Sequence, residues 1–232
     1  MDDACATLAR LLAACVLGAC VVGGAGRAAA RRELGGWPAR AQALVGLCGA
    51  LAGVCAGAVA AGWLETAELL ALAAALVVCS AADLGRRIIP NRAVAAIVAV
   101  RGAFLGLEAV GTMVGGMGGS RVLGELGWSL MGGAAVSLAL GAARLLWAHV
   151  RDGPQQGIGG GDAKLLSACG MFLGPVGGLA CVALSCLLAL ACCAGAWASV
   201  RARGLDGPIP KAFPLAPQVF ASVLFLSACR AF

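Results

Sequence analysis

The sequence predicts an all-α fold, a polytopic membrane bundle of about six to eight transmembrane segments. Three observations carry that expectation. The chain is 61% hydrophobic and only 12% charged, with a mean hydropathy of +0.95, where a soluble domain is roughly half apolar and a quarter charged. Apolar runs close to the length of a bilayer crossing recur along the whole chain. Those runs are apolar on all sides, whereas the strands of a membrane barrel alternate over about ten residues. The polar stretches are only short loops, so residues 1–232 read as one membrane domain.

Taken in order, the hydrophobic segments are roughly 4–24, 42–63, 66–82, 93–112, 127–149, 163–174, 176–199 and 213–231. The first has the length of a signal peptide, but Asp2 and Asp3 stand where a basic start would be needed, so it reads as a retained helix. The third ends at Asp83. The sixth is short, and Gly174-Pro175 separates it from the seventh. Those two form either a re-entrant pair or one long, broken helix.

The loops set the orientation. Arg27, Arg31, Arg32 and Arg40 follow the first segment; Arg86, Arg87 and Arg92 follow the third. Arg144, Arg151 and Lys164 flank the next loop on that side, and Arg201, Arg203 and Lys211 precede the last segment. The opposite side carries Glu65, Glu68, Glu108 and Glu125, with only Arg101 and Arg121 in or beside its loops. Positively charged loops stay inside. The four basic loops are therefore expected in the cytoplasm and both termini outside.

Composition also excludes some functions. The 12 cysteines lie mostly within apolar runs and form no C-x-x-C pair, so neither a zinc site nor thioredoxin-like chemistry is expected. They read as small buried hydrophobes. The net charge of +6 is dispersed over short loops, which suits a lipid bilayer surface rather than nucleic acid. His149, the single histidine, reads as a structural residue facing a loop.

Two carboxylates then stand out. Asp83 closes the third segment in "VVCSAADLGRRIIPN", and Asp162 opens the sixth in "GIGGGDAKLL". Charge counting alone puts both at one face and at similar depth. Paired carboxylates at close range cannot both ionise readily, so one acts as general base and its partner as general acid. That combination hydrolyses a peptide bond without a metal or an organic cofactor. Glycines 159 to 161 would let backbone approach closely. The bland alternatives are a helix cap at Asp162 and a weak surface pair between Asp83 and Arg86 or Arg87. A phosphate-binding loop is excluded, because Asp162 follows the last glycine and no G-K-[ST] follows.

The joint pattern, "GGGD" at 159–162 with "DLGRRIIPN" at 83–91, resembles the type IV prepilin peptidase family of G-x-G-D membrane aspartic proteases. The run "GGGDAKLLSACGMFLG" extends that resemblance, which spans roughly residues 66 to 225. The stretch "IPKAFPLAP" at 209–217 looks like the family's proline-containing approach to its last helix. The resemblance implies that Asp83 and Asp162 are the catalytic pair, that Gly159 and Gly161 are the motif glycines, and that Lys164 and Pro90 support them. It implies removal of a short basic leader from a prepilin or pseudopilin precursor. The loop "GRAAARRELGGWPARAQ" lacks the paired cysteines of full-length members, so the chain looks like the short form that serves tight-adherence pili. Presenilins and signal peptide peptidases share G-x-G-D, but they place Tyr before the first aspartate and use a P-A-L motif; here Ala82 precedes Asp83, no Tyr exists and no P-A-L occurs. The rival reading is a non-enzymatic membrane protein, a small transporter or a pilus-assembly subunit, whose acidic residues would sit in mid-membrane.

Overall fold

The computed structural model describes residues 2–34, 47–54, 63–114, 120–150, 159–202 and 214–229. Among them run α1 (Asp2–Leu34), α2 (Trp63–Arg86), α3 (Asn91–Val114), α4 (Ser120–Val150), α5 (Gly160–Ala202) and α6 (Ala216–Cys229), and 47–54 is also helical. No strand occurs among the described residues. Five stretches, Leu11–Arg32 of α1 and the whole of α2, α3, α4 and α5, are long and apolar enough to cross a membrane. The chain is an all-α, multi-pass membrane bundle.

Helices outrun the hydrophobic segments. Arg27, Arg31 and Arg32 lie within α1 and Arg201 within α5. Arginine is a good helix former and its charge suits a helix C-terminus, so the backbone continues where hydropathy stops. Arg40, Arg151, Arg203, Lys211 and most of the expected 42–63 segment lie outside the described residues.

The helix α2 is central and packs on α1, α3 and α6. Its Leu72, Leu76 and Cys79 join Ile97 of α3, Val136 and Leu140 of α4, Leu165 and Cys169 of α5, and Val219 of α6 in the main core. Ala73 and Val77 face the other way, onto Val22 and Ala52. At its C-terminus, Arg87 takes a left-handed conformation (φ 53°) and donates its N–H to the Asp83 carbonyl at 2.9 Å, the hydrogen bond that ends a helix in this way. Pro90 then accepts the N–H groups of Ala93 and Val94 and starts α3.

The break at Gly174-Pro175 is a reversal. Gly174 has φ 72° and ψ −179°, which no helix contains. A Cβ placed on Gly178 would lie 2.9 Å from the Cα of Gly170, although eight residues of continuous helix would separate them by about 12 Å. The two arms, 160–173 and 175–202, therefore double back on each other, and Gly132 of α4 packs where they cross. The Met171 carbonyl, in the last turn of the first arm, accepts the Ser129 hydroxyl at 2.8 Å. At about 20 Å the first arm is shorter than a bilayer core. Of the two alternatives, a pair of arms folded on each other is the one the chain adopts.

Arg101 departs from its expected place beside a loop. It is the eleventh residue of α3 and buried. Its Nη1 meets Glu68 Oε1 of α2 at 2.7 Å, and its Nε lies 3.4 Å from the Ser129 hydroxyl of α4. Glu125 approaches at 3.9 Å, and the Phe172 ring lies 5.8 Å from the guanidinium. A charge at that depth persists only with a partner, and Glu68 is that partner.

Candidate active site

Three chain segments meet at one end of the bundle: the end of α2 with the turn to α3, the start of α5, and the start of α6. Asp83, in the last turn of α2, is only 5% exposed. Its Oδ2 accepts the backbone N–H of Ala216 at 2.9 Å. Ala216 is the first residue of α6, where N–H groups have no partner within the helix. A carboxyl there answers both the missing acceptor and the positive end of the helix dipole. The α2 side chain one turn earlier, Cys79, is fully buried and walls the site toward the core.

Asp162 is half-buried in the first turn of α5. Its carboxylate folds back onto Gly159 and takes that residue's N–H, the return half of a capping box. The cap reading is thus satisfied in the resting molecule. A Cβ on Gly159 would lie 2.8 Å from the carboxyl oxygen, so a larger residue there would displace the Asp162 side chain. Gly161 meets the α2–α3 turn: a Cβ there would lie 3.2 Å from the Cβ of Ile89. One turn on, Lys164 Nζ donates to Asn91 Oδ1 at 3.2 Å.

These contacts bring the residues singled out in the sequence together. The stretch 83–91, with Asp83 and Pro90, lies beside 159–164, with Gly159, Gly161, Asp162 and Lys164. The two carboxyls are within electrostatic reach of each other, and each is anchored by a different backbone amide. His149 sits apart, on the exposed last turn of α4.

Ala216, Ile89 and Asn91 were not among the sequence candidates. Ala216 and Ile89 act through backbone and methyl groups that carry no chemical signature. Pro217, in the first turn of α6, was the available sign of a helix start there.

A model of the type IV leader peptidase family matches residues 70–194, more than half of the chain. The match holds both aspartates and the glycines, and it ends before α6. No curated protein and no solved structure matches the chain.

Proposed function

The chain belongs to the type IV leader peptidase family, and from that premise we propose that Asp83 and Asp162 are its catalytic pair. As a membrane protease of this family, it acts on prepilin-type precursors. The proposed reaction removes the short basic leader at the cytoplasmic face of the membrane. Gly159 and Gly161 shape the loop around Asp162, while Lys164 and Pro90 fix it against the α2–α3 turn.

The ionised member of the pair takes a proton from water as the water oxygen bonds to the scissile carbonyl carbon. The protonated member polarises the carbonyl and then gives its proton to the amide nitrogen as the C–N bond breaks. The products are a leader ending in a carboxylate and a mature chain with a new amino terminus. No metal or organic cofactor is required by this chemistry.

The observation that supports this reading is the shared position of the two carboxyls, clamped by Ile89 on Gly161 and by Asn91 on Lys164. A cleavage assay with a co-expressed prepilin-type precursor tests it. Asp83→Asn and Asp162→Asn should each cut the cleavage rate by at least about 100-fold, with the protein still in the membrane at wild-type level. Cleavage that persists in either variant removes that aspartate from the mechanism.

A further inference from the structure

The N–H that holds Asp83 belongs to a helix whose own placement is lightly determined. The helix α6 has 14 residues and carries no charged side chain. At about 21 Å it is shorter than a bilayer core, so neither its length nor an anchor of its own at the interface fixes its depth. Its apolar contacts through Val219 and Val223 oppose separation but permit sliding. A slide of one turn, about 5.4 Å, would carry the Ala216 N–H off the carboxyl.

Two hydrogen bonds join α6 to other helices among the described residues. One runs from Ala216 to Asp83 of α2, the other from Ser185, in the second arm of α5, to Ser222. We propose that Ser185, Ser222 and Gln218 are positioning residues, which set α6 in the register that puts the Ala216 N–H on Asp83; the proposal rests on the peptidase reading above.

The bonds form an unbroken series from α5 to the site. The Ser185 hydroxyl donates to the Ser222 hydroxyl at 3.1 Å, and Ser222 donates to the Gln218 carbonyl at 2.8 Å. The buried Gln218 side chain, oriented by the two carbonyls before it, donates its amide N–H groups to Pro214 and Leu215 at 2.6 and 3.1 Å. Those carbonyls immediately precede Ala216. Gln218 thus folds the chain entering α6 onto its first turn, and the direction of the Ala216 N–H follows from that fold.

Neither serine has a ligand to serve. Both are fully buried, and each hydroxyl donates within the bundle. A buried hydroxyl is costly unless bonded, and a bond of this kind between membrane helices adds little stability. What the pair supplies is register. Apolar faces fit each other at several offsets, whereas two hydroxyls meet at one.

Purified protein in lipid nanodiscs would be assayed with a prepilin-type precursor. Ser185→Ala and Ser222→Ala should each lower kcat about tenfold, as a small misplacement far from the chemistry can, with KM and the unfolding midpoint unchanged. The double variant should be no slower than either single one, because both remove the same bond. Ser227→Ala removes a buried α6 hydroxyl that bonds no other helix among the described residues, and it should leave kcat at the wild-type value. Hydrogen exchange over residues 214–220, read by mass spectrometry, follows the geometry without catalysis. Those amides should exchange roughly tenfold faster in Ser222→Ala than in the wild type or in Ser227→Ala. Wild-type kcat in both Ser185→Ala and Ser222→Ala overturns the proposal. So does a fall in kcat matched by an equal loss of folded protein, the mark of a merely structural bond. Should the wild type leave the precursor uncut, the peptidase reading fails, and the exchange still decides whether the serines hold α6: an unchanged rate in Ser222→Ala overturns that, and a faster one supports it.

Discussion

Replacing Glu68 by leucine should be among the costliest single changes in the bundle. Arg101 lies about 15 Å along α3 from its start, and its 2.7 Å bond to Glu68 is made by side chains of which only 8–10% is exposed. Removing one partner of such a pair leaves an uncompensated buried charge, which costs about 3–5 kcal/mol. Glu125, half-exposed and 3.9 Å from the guanidinium, recovers little of it. The double variant Glu68→Leu with Arg101→Leu should return to within about 1–2 kcal/mol of wild type, because replacing a whole buried pair by apolar groups is often neutral. Glu68→Gln, which keeps an acceptor and loses the charge, should fall between them. The assay is reversible unfolding in lipid, read as a free energy for each corner of the cycle. A loss below about 1 kcal/mol for Glu68→Leu, the size of a surface pair, refutes the view that this charge pair is sealed in the bundle.

Other outcomes follow from the same contacts. Ser129→Ala removes the hydroxyl that donates to the Met171 carbonyl and should lower stability by about 1–3 kcal/mol in the same assay; no change would mean that another donor serves that carbonyl. Gly161→Val pushes a branched side chain into Ile89, so cleavage should fall more than stability does, as measured by kcat beside unfolding free energy. The kcat of the wild type should follow a bell-shaped pH profile, lost on the acid side as the basic carboxylate takes a proton and on the alkaline side as the acidic one gives its proton up. A profile flat through the acid range would argue against a carboxylate base.

Much of the bundle was legible beforehand because hydropathy reports the length of a membrane-crossing helix directly. The meeting of 83–91 with 159–164 was legible for a related reason: arginines cluster in one set of loops, and both aspartates stand among them. The reversal at Gly174 was only half legible. Hydropathy registers a break there but not its angle, and the glycines at 170 and 178, spaced evenly about it, carry their meaning only once the arms touch. Arg101 was misplaced because a lone arginine at that depth is costly, and its partner lies 33 residues away on another helix. Charge counting sees sides of a membrane, not pairs within it. The anchoring of Asp83 was not legible at all, since any non-proline residue at 216 offers the same N–H.

That last bond links residues made far apart in time. Asp83 and Ala216 are separated by 133 positions, and at 5–20 residues per second the ribosome needs roughly 7–27 s to travel between them. Throughout that interval the aspartate is already in the membrane and its amide does not yet exist. A chain abandoned by the ribosome before that point therefore carries the Asp83 carboxyl at the end of α2 without the amide that holds it in the complete bundle.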